Sequence, residues 1–226
     1  MSNIKTTKTM IYKPDAVIEG WYSKGIAQMY VLLLPPHPNL GGRVSNALLR
    51  NMHQAFHDVG FTTLRINYRG IGLSQGSIDG RDYDLQDALD VCDWLSARHG
   101  DPRVLWVAGY GYGAYVAINA AMRRPVVNGF ISVSPHTVEG EFDFNLLTPC
   151  PNGLLVTGEE DKVAEPSAIK KLVGELSTQR GCSISYKNID HADHYYNGCT
   201  DQLKSEIISY LNKTIDSSQD RATMMA

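Results

Sequence analysis

Three residues stand in the chain order nucleophile position, acid, base: Gly111, Asp161 and His194. Gly111 is the centre of Val104-Leu-Trp-Val-Ala-Gly-Tyr-Gly-Tyr-Gly-Ala-Tyr-Val-Ala-Ile-Asn-Ala-Ala121. That run reads as a buried strand, a sharp turn and a small-residue helix, the local setting that presents a serine hydroxyl for attack on an acyl carbon. The central residue is glycine. Asp161 lies in Thr157-Gly-Glu-Glu-Asp-Lys-Val163 and His194 in Asp190-His-Ala-Asp-His-Tyr-Tyr196, each directly after a predicted strand. A carboxylate that orients an imidazole makes it a base toward a nucleophile's proton. Alone, each is an ordinary loop residue; the order and the strand-end placement favour the functional reading.

Acyl transfer also needs donors for the developing oxyanion, commonly one backbone N–H after the nucleophile and one from an early strand-end loop. Tyr112 is expected to supply the first. Pro36-His-Pro-Asn-Leu-Gly-Gly42 would supply the second, from Asn39 or Leu40, because Pro38 has no N–H. The same loop also reads simply as the turn into the next helix.

Other patterns imitate chemistry. Gly72-Leu-Ser-Gln-Gly76 matches G-x-S-x-G literally, but no small-residue helix follows it, so Ser74 reads as a loop or capping serine. Gly109-Tyr-Gly-Tyr-Gly-Ala114 satisfies a dinucleotide fingerprint, yet the next strand ends Val133-Ser-Pro-His136 with no carboxylate for a ribose. His53 and His57 share a helix face without a third ligand and read as a solvated polar face. His191 and Asp193 read as loop-shaping residues. Ser134 and Cys150 do not sit in a strained elbow, which argues against either as a substitute nucleophile. No metal site and no cofactor are expected.

The elements that must position these residues alternate strand and helix throughout. Strands are predicted at Thr9 to Tyr12, Ala16 to Tyr22, Met29 to Leu34, Phe61 to Tyr68, Val104 to Ala108, Gly129 to Val133, Gly153 to Thr157 and Ser183 to Ile189. Helices are predicted at Val44 to Val59, Leu85 to Ala97, Ala114 to Met122, Ser167 to Leu176 and Leu203 to Leu211. This alternation predicts an α/β fold with a mostly parallel central sheet covered by helices on both faces. One domain is expected over residues 1–213, with 214–226 as a flexible C-terminal tail. The stretch from Pro135 to Gly153 is too short for a helical lid domain, so a site there is expected to be open.

Composition narrows the partners. The chain has 226 residues, 43% hydrophobic and 20% charged, with a net charge of -3. Such a balance carries no electrostatic footprint for nucleic acid or anionic lipid. The longest apolar runs are too short to span a bilayer. The first ten residues hold no apolar signal segment, and the four cysteines have neither C-x-x-C nor zinc-like spacing, so a reduced, cytoplasmic protein is expected.

With these residues in place, the chain resembles the α/β-hydrolase superfamily. More narrowly it resembles a small lidless bacterial group with an H-P-x-x-G-G loop, an F-R-G-x-G-x-S-x-G loop, a G-F-S-F-G-A-Y elbow, a P-C-P stretch, a G-E-x-D-x-x-V acid loop and an A-D-H-F-F base loop. The matching segments are His37 to Gly42, Tyr68 to Gly76, Gly109 to Tyr115, Pro149 to Pro151, Gly158 to Val163 and Ala192 to Tyr196. The resemblance implies hydrolysis of an ester, thioester or amide, with Asp161 and His194 as acid and base. Where that pattern has serine, this chain has Gly111.

Glycine adopts the strained elbow without a Cβ penalty, so the turn is expected to survive. Covalent acyl-enzyme chemistry at position 111 is not expected to. Three readings follow: a non-catalytic protein that binds a small acyl, ester or peptide-like ligand or serves a partner through its surface; a hydrolase whose water is activated by His194; or an ordinary serine hydrolase changed at one position. Retention of Asp161, His194 and the oxyanion loop fits the second and third better. The sequence is silent on oligomeric state.

Overall fold

In the computed structural model, residues 4–40, 42–78, 81–98, 104–136, 150–179 and 181–224 are described. Eight strands run β1 (Thr7–Lys13), β2 (Ala16–Ser23), β3 (Met29–Leu34), β4 (Thr62–Ile66), β5 (Val104–Tyr110), β6 (Gly129–Val133), β7 (Gly153–Gly158) and β8 (Ile184–Ile189). The helices are α1 (Ala47–Asp58), α2 (Arg81–Arg98), α3 (Tyr112–Arg123), α4 (Pro166–Ser177) and α5 (Thr200–Met224). They build one sheet of order β1-β2-β4-β3-β5-β6-β7-β8. β1 and β2 join antiparallel; from β4 through β8 every pairing is parallel. This is the mostly parallel α/β sheet expected from the sequence.

The central strands are apolar on both faces because both are covered. Leu32 and Leu34 of β3, with Leu105 and Val107 of β5, face a core shared with α2, α3 and α4. Val31 and Leu33, with Trp106, Ala108 and Tyr110, face the opposite core under α1 and α5. The period of two in side-chain direction divides each strand between the cores. Burial of each such aliphatic side chain contributes about 1.5–3 kcal/mol.

Parallel register brings the strand ends to one edge of the sheet. Leu34 pairs with Gly109, Gly109 with Ser132, Val133 with Val156, and Gly158 with Ile189. Loops leaving β3, β5, β6, β7 and β8 therefore emerge together, where open α/β sheets bind ligands.

Several boundaries differ from the sequence reading for local reasons. α1 begins at Ala47 rather than Val44 because the Asn46 side chain accepts the Leu49 N–H and caps the helix. α5 does not stop near Leu211 but continues to Met224, so residues 214–224 are helical. The apolar stripe carries the helix past Leu211 as far as Ile215: Ile208 and Ile215 continue the packing of Leu211 against the core, and Thr214 Oγ1 donates to the Tyr210 carbonyl.

His53 is a second correction. It is buried rather than solvated, and it shares a hydrogen bond of 2.7 Å with Thr63 of the adjacent strand. Burial, followed by the charges of Arg65 and His57, lowers its pKa to about 3. His57 is half-buried, and no cluster of metal-ligating side chains occurs among the described residues. No helix there is long and apolar enough to cross a membrane. The expected absence of a lid concerns residues 137–149, which lie outside the described residues, as does Pro149.

Candidate active site

Gly111 caps α3 with φ 58° and ψ -119°. This is a left-handed, sparsely populated conformation in which a residue with a Cβ is strained. The turn is fixed from several sides. The Gly111 N–H donates to the Val133 carbonyl at 2.9 Å, and its carbonyl accepts from Ala114, Tyr115 and His136 at 3.1, 3.3 and 3.3 Å. A second glycine lets the helix approach the sheet: a Cβ on Gly113 would lie 2.2 Å from the Leu34 carbonyl oxygen. At Gly111 itself space is ordinary. A Cβ there would sit 3.6 Å from Pro36 Cβ and 3.7 Å from His136 Nε2.

Asp161 and His194 meet as expected. Nδ1 of His194 lies 3.0 Å from both carboxylate oxygens, with the Asp161 side chain fully buried and that of His194 12% exposed. Asp161 Oδ1 also accepts the Val163 and Ala164 N–H groups at 2.9 and 2.8 Å. Burial pushes its pKa up, but hydrogen bonds from His194, Ala164 and Ser134 outweigh this and hold the carboxyl below its ordinary value. The carboxylate thus stays ionised and fixes Nδ1, which leaves Nε2 as the other functional nitrogen.

Tyr110, which precedes Gly111, ties the base to the elbow. Its hydroxyl donates to the His194 carbonyl at 2.9 Å, and its ring centroid lies 5.3 Å from that of His194. Two further rings pack against that of His194: that of Tyr195, with its centroid 5.4 Å from that of His194, and that of His136 at 6.1 Å. Sequence reading assigned His136 no role; its one signal was position, immediately beyond a strand end at the site edge.

The supporting residues fall largely as read. Asp193 accepts from the Tyr195 and Asn197 N–H groups at 3.1 and 3.0 Å and shapes the base loop. His191 is exposed and reaches only Glu159 and Glu160, at 3.8 and 3.7 Å. Ser134 is buried with φ 45° and bonds Tyr196 Oη at 2.9 Å, besides its bond to Asp161, so it braces the acid. Cys150 is buried, which pushes its thiol pKa up and away from thiolate character. Ser74 accepts the Glu19 N–H at 2.9 Å and donates to the Asn67 carbonyl at 2.8 Å, as a loop brace.

The oxyanion candidates divide. Tyr112 is the first residue of α3, where backbone N–H groups have no intrahelical acceptor. Its side chain is buried, with the hydroxyl donating to Asp84 at 3.1 Å. Asn39 and Leu40 lie in the 3-10 turn Pro38–Leu40. The Asn39 N–H donates to Nδ1 of His37 at 3.2 Å, inside its own loop.

Comparison with known proteins supports the family and the fold. Residues 31–137 match the pattern of the X-Pro dipeptidyl-peptidase (S15) family. The uncharacterized protein RP471 of Rickettsia prowazekii is 35% identical over 204 residues, spanning 88% of this chain and 85% of its own. The structure of ATU1826, a putative alpha/beta hydrolase from Agrobacterium tumefaciens, matches with a TM-score of 0.86 at 36% identity, over 93% of this chain and 97% of that one. XC6422 from Xanthomonas campestris, a serine hydrolase without a lid, matches in fold with a TM-score of 0.82 at 22% identity, over 92% and 94% of the two chains.

Proposed function

This chain belongs to the α/β-hydrolase superfamily, and we propose that it binds a small acyl, ester or peptide-like ligand at the Gly111 turn and hydrolyses it slowly, through water instead of an acyl-enzyme. The observation that carries this reading is the assembled Asp161–His194 pair beside a turn with no nucleophilic side chain. A fully buried carboxylate is costly to keep ionised, and here that cost is met by bonds that orient one imidazole. An oriented imidazole has use for a proton donor in front of it, and water fills that role where a serine hydroxyl is missing.

In this mechanism the ligand's acyl carbon lies over Gly111. His194 Nε2 takes a proton from water as the water oxygen bonds to that carbon. The Tyr112 N–H, with Leu40 as the loop donor because Asn39 is engaged by His37, receives the oxyanion. Turnover is expected to be low: loss of a triad serine costs on the order of 10⁶, while binding and the oxyanion hole retain roughly 10³–10⁴ over water. The proposed setting is the cytoplasm, in keeping with four free thiols; nucleic acid and membrane surfaces are not proposed partners.

A second reading has its own support. A Cβ at position 111 meets nothing closer than 3.6 Å, so the elbow still accommodates a serine. On that reading position 111 is the single change in an ordinary serine hydrolase.

The test is a panel of short-chain esters and thioesters assayed with the unmodified chain, His194→Ala and Gly111→Ser. Slow turnover of the unmodified chain that disappears in His194→Ala supports water activation. Turnover arising only in Gly111→Ser rejects it for those substrates and favours the second reading. Inactivity of all three leaves binding without hydrolysis.

A further inference from the structure

Trp94 and Arg98 are four residues apart at the end of α2 and so share one face of it. Thr7 and Thr9 alternate along β1, and the register sets Thr7 opposite Tyr22 of β2. These three side chains therefore stand on one face of the β1–β2 hairpin. That face packs on α2: Ile11, Val91 and Leu95 belong to one core cluster, against which Tyr22 and Trp94 are packed. Small side chains on the edge strand leave space under the end of the helix. The space is a cavity of about 200 Å³ lined by Thr7, Lys8, Thr9, Tyr22, Trp94 and Arg98. In the sheet order, β4 and β3 separate this hairpin from β5 and hence from the Gly111 turn.

The walls of the cavity are aromatic and its charge is a single guanidinium. Arg98 lies over the Trp94 ring, 5.0 Å from its centroid. Stacking of this kind holds the planar fork in place and leaves its N–H edge available to a carboxylate. The same charge reaches Tyr22, whose phenol is raised by burial and by Tyr30 and lowered by a hydrogen bond with Thr62 and by Arg98. Arg98 is exposed, and no ion pair engages it among the described residues. Lys8 adds no second cation to the space: its ammonium pairs with Glu19 at 2.7 Å and lies over the Trp21 ring, on the other face of the hairpin.

Size and charge together select the occupant. An apolar cavity of about 150 Å³ takes up a benzene molecule, so about 200 Å³ admits one ring and a carboxylate. One guanidinium balances one carboxylate and leaves a phosphate dianion half compensated. We propose that this cavity binds a small aromatic monocarboxylate, its ring against Tyr22 and Trp94 and its carboxylate on the Arg98 fork. The site is separate from the Gly111 turn and does not depend on hydrolysis there.

The experiment titrates the unmodified full chain with sodium benzoate, read by calorimetry and by the indole N–H signals of the three tryptophans in NMR. Saturable one-to-one binding is expected, with Kd on the order of 1 mM or tighter for so small a ligand. The indole signal missing from Trp94→Phe should be the one that moves most. Arg98→Gln should weaken benzoate by about tenfold, and Arg98→Lys, which keeps the charge but not the fork, by a smaller factor. Benzyl alcohol lacks the charge and should bind about tenfold more weakly than benzoate; cyclohexanecarboxylate lacks the flat ring and should lose about threefold or more. His194→Ala should bind benzoate as the unmodified chain does, which separates this site from the catalytic one. Benzoate binding that is lost in His194→Ala and untouched by Arg98→Gln would overturn the proposal and place the ligand at the Gly111 turn. Benzyl alcohol binding as tightly as benzoate, or no saturable binding by about 10 mM benzoate, would overturn it as well.

Discussion

Replacing Gly111 with alanine tests the elbow without supplying a nucleophile, and its cost separates backbone strain from steric conflict. A Cβ at Gly111 would meet only ordinary contacts, at 3.6 Å or more, so the penalty comes from φ 58° and ψ -119°. Such a conformation costs a residue with a Cβ about 1–3 kcal/mol. Reduced freedom of the unfolded chain returns about 0.4–1 kcal/mol, leaving a net loss of roughly 0–2.6 kcal/mol. At about 2–4 °C per kcal/mol for a chain of this size, Tm falls by no more than about 10 °C. Gly113→Ala is the matched control. It lies inside α3, where alanine is the better helix former by about 1 kcal/mol. Yet its Cβ would lie 2.2 Å from the Leu34 carbonyl oxygen and 2.4 Å from that of Pro35, both backbone atoms, so α3 must move off β3. Gly113→Ala is therefore expected to lose more stability than Gly111→Ala, in reversed order of helix propensity. Thermal and urea unfolding of the two variants measure this. A Gly111→Ala protein that loses much more than about 3 kcal/mol, or a Gly113→Ala protein more stable than Gly111→Ala, would refute the reasoning.

Three other expectations follow from buried polar groups. Ser74→Ala should leave ester turnover unchanged and cost about 1–3 kcal/mol by urea unfolding, since the Glu19 N–H and Asn67 carbonyl lose their partner; a collapse of turnover with stability intact would return Ser74 to the list of nucleophiles. His53, with its pKa lowered to about 3, remains neutral while the unfolded chain takes up a proton, so its contribution is complete above about pH 6.5 and is lost as pH falls toward 3. Stability should fall by up to about 1.4 kcal/mol per pH unit from this residue, a slope that His53→Gln lacks. Asp84 has the opposite sign: burial raises its pKa to about 7, so its protonated form is favoured in the fold and stability is lost as pH rises through 7. Asp84→Asn, which keeps an acceptor for the Tyr112 hydroxyl, should gain on the order of a few kcal/mol relative to the unmodified chain at pH 8 and much less at pH 5; an equal change at both pH values would count against it.

The fold was legible where patterns were strong. Met29–Leu34 and Gly129–Val133 are short apolar runs bounded by prolines or by polar turns, and both strands appear at the expected residues. Asp161 and His194 were legible because acid and base must stand at strand ends in a fixed order, and they meet at 3.0 Å. Other features depended on contacts between distant segments. His53 reads as a polar helix face until Thr63 of β4 provides its partner. The Asn39 N–H reads as a donor for the site until His37 takes it. His136 belongs to no motif, and only the approach of β6 to the elbow sets its Nε2 3.7 Å from the Cβ position of residue 111. The extension of α5 past Leu211 turned on Ile215, one apolar residue in a polar run.

The most direct measurement is fluorophosphonate labelling of Gly111→Ser beside the unmodified chain, with the labelled peptide identified by mass spectrometry. An elbow intact in all but its nucleophile predicts labelling of the introduced serine, its suppression by the added change His194→Ala, and no labelled residue in the unmodified chain. Labelling of Ser74 or Ser134 in the unmodified chain, or a folded Gly111→Ser protein that fails to react, would contradict it.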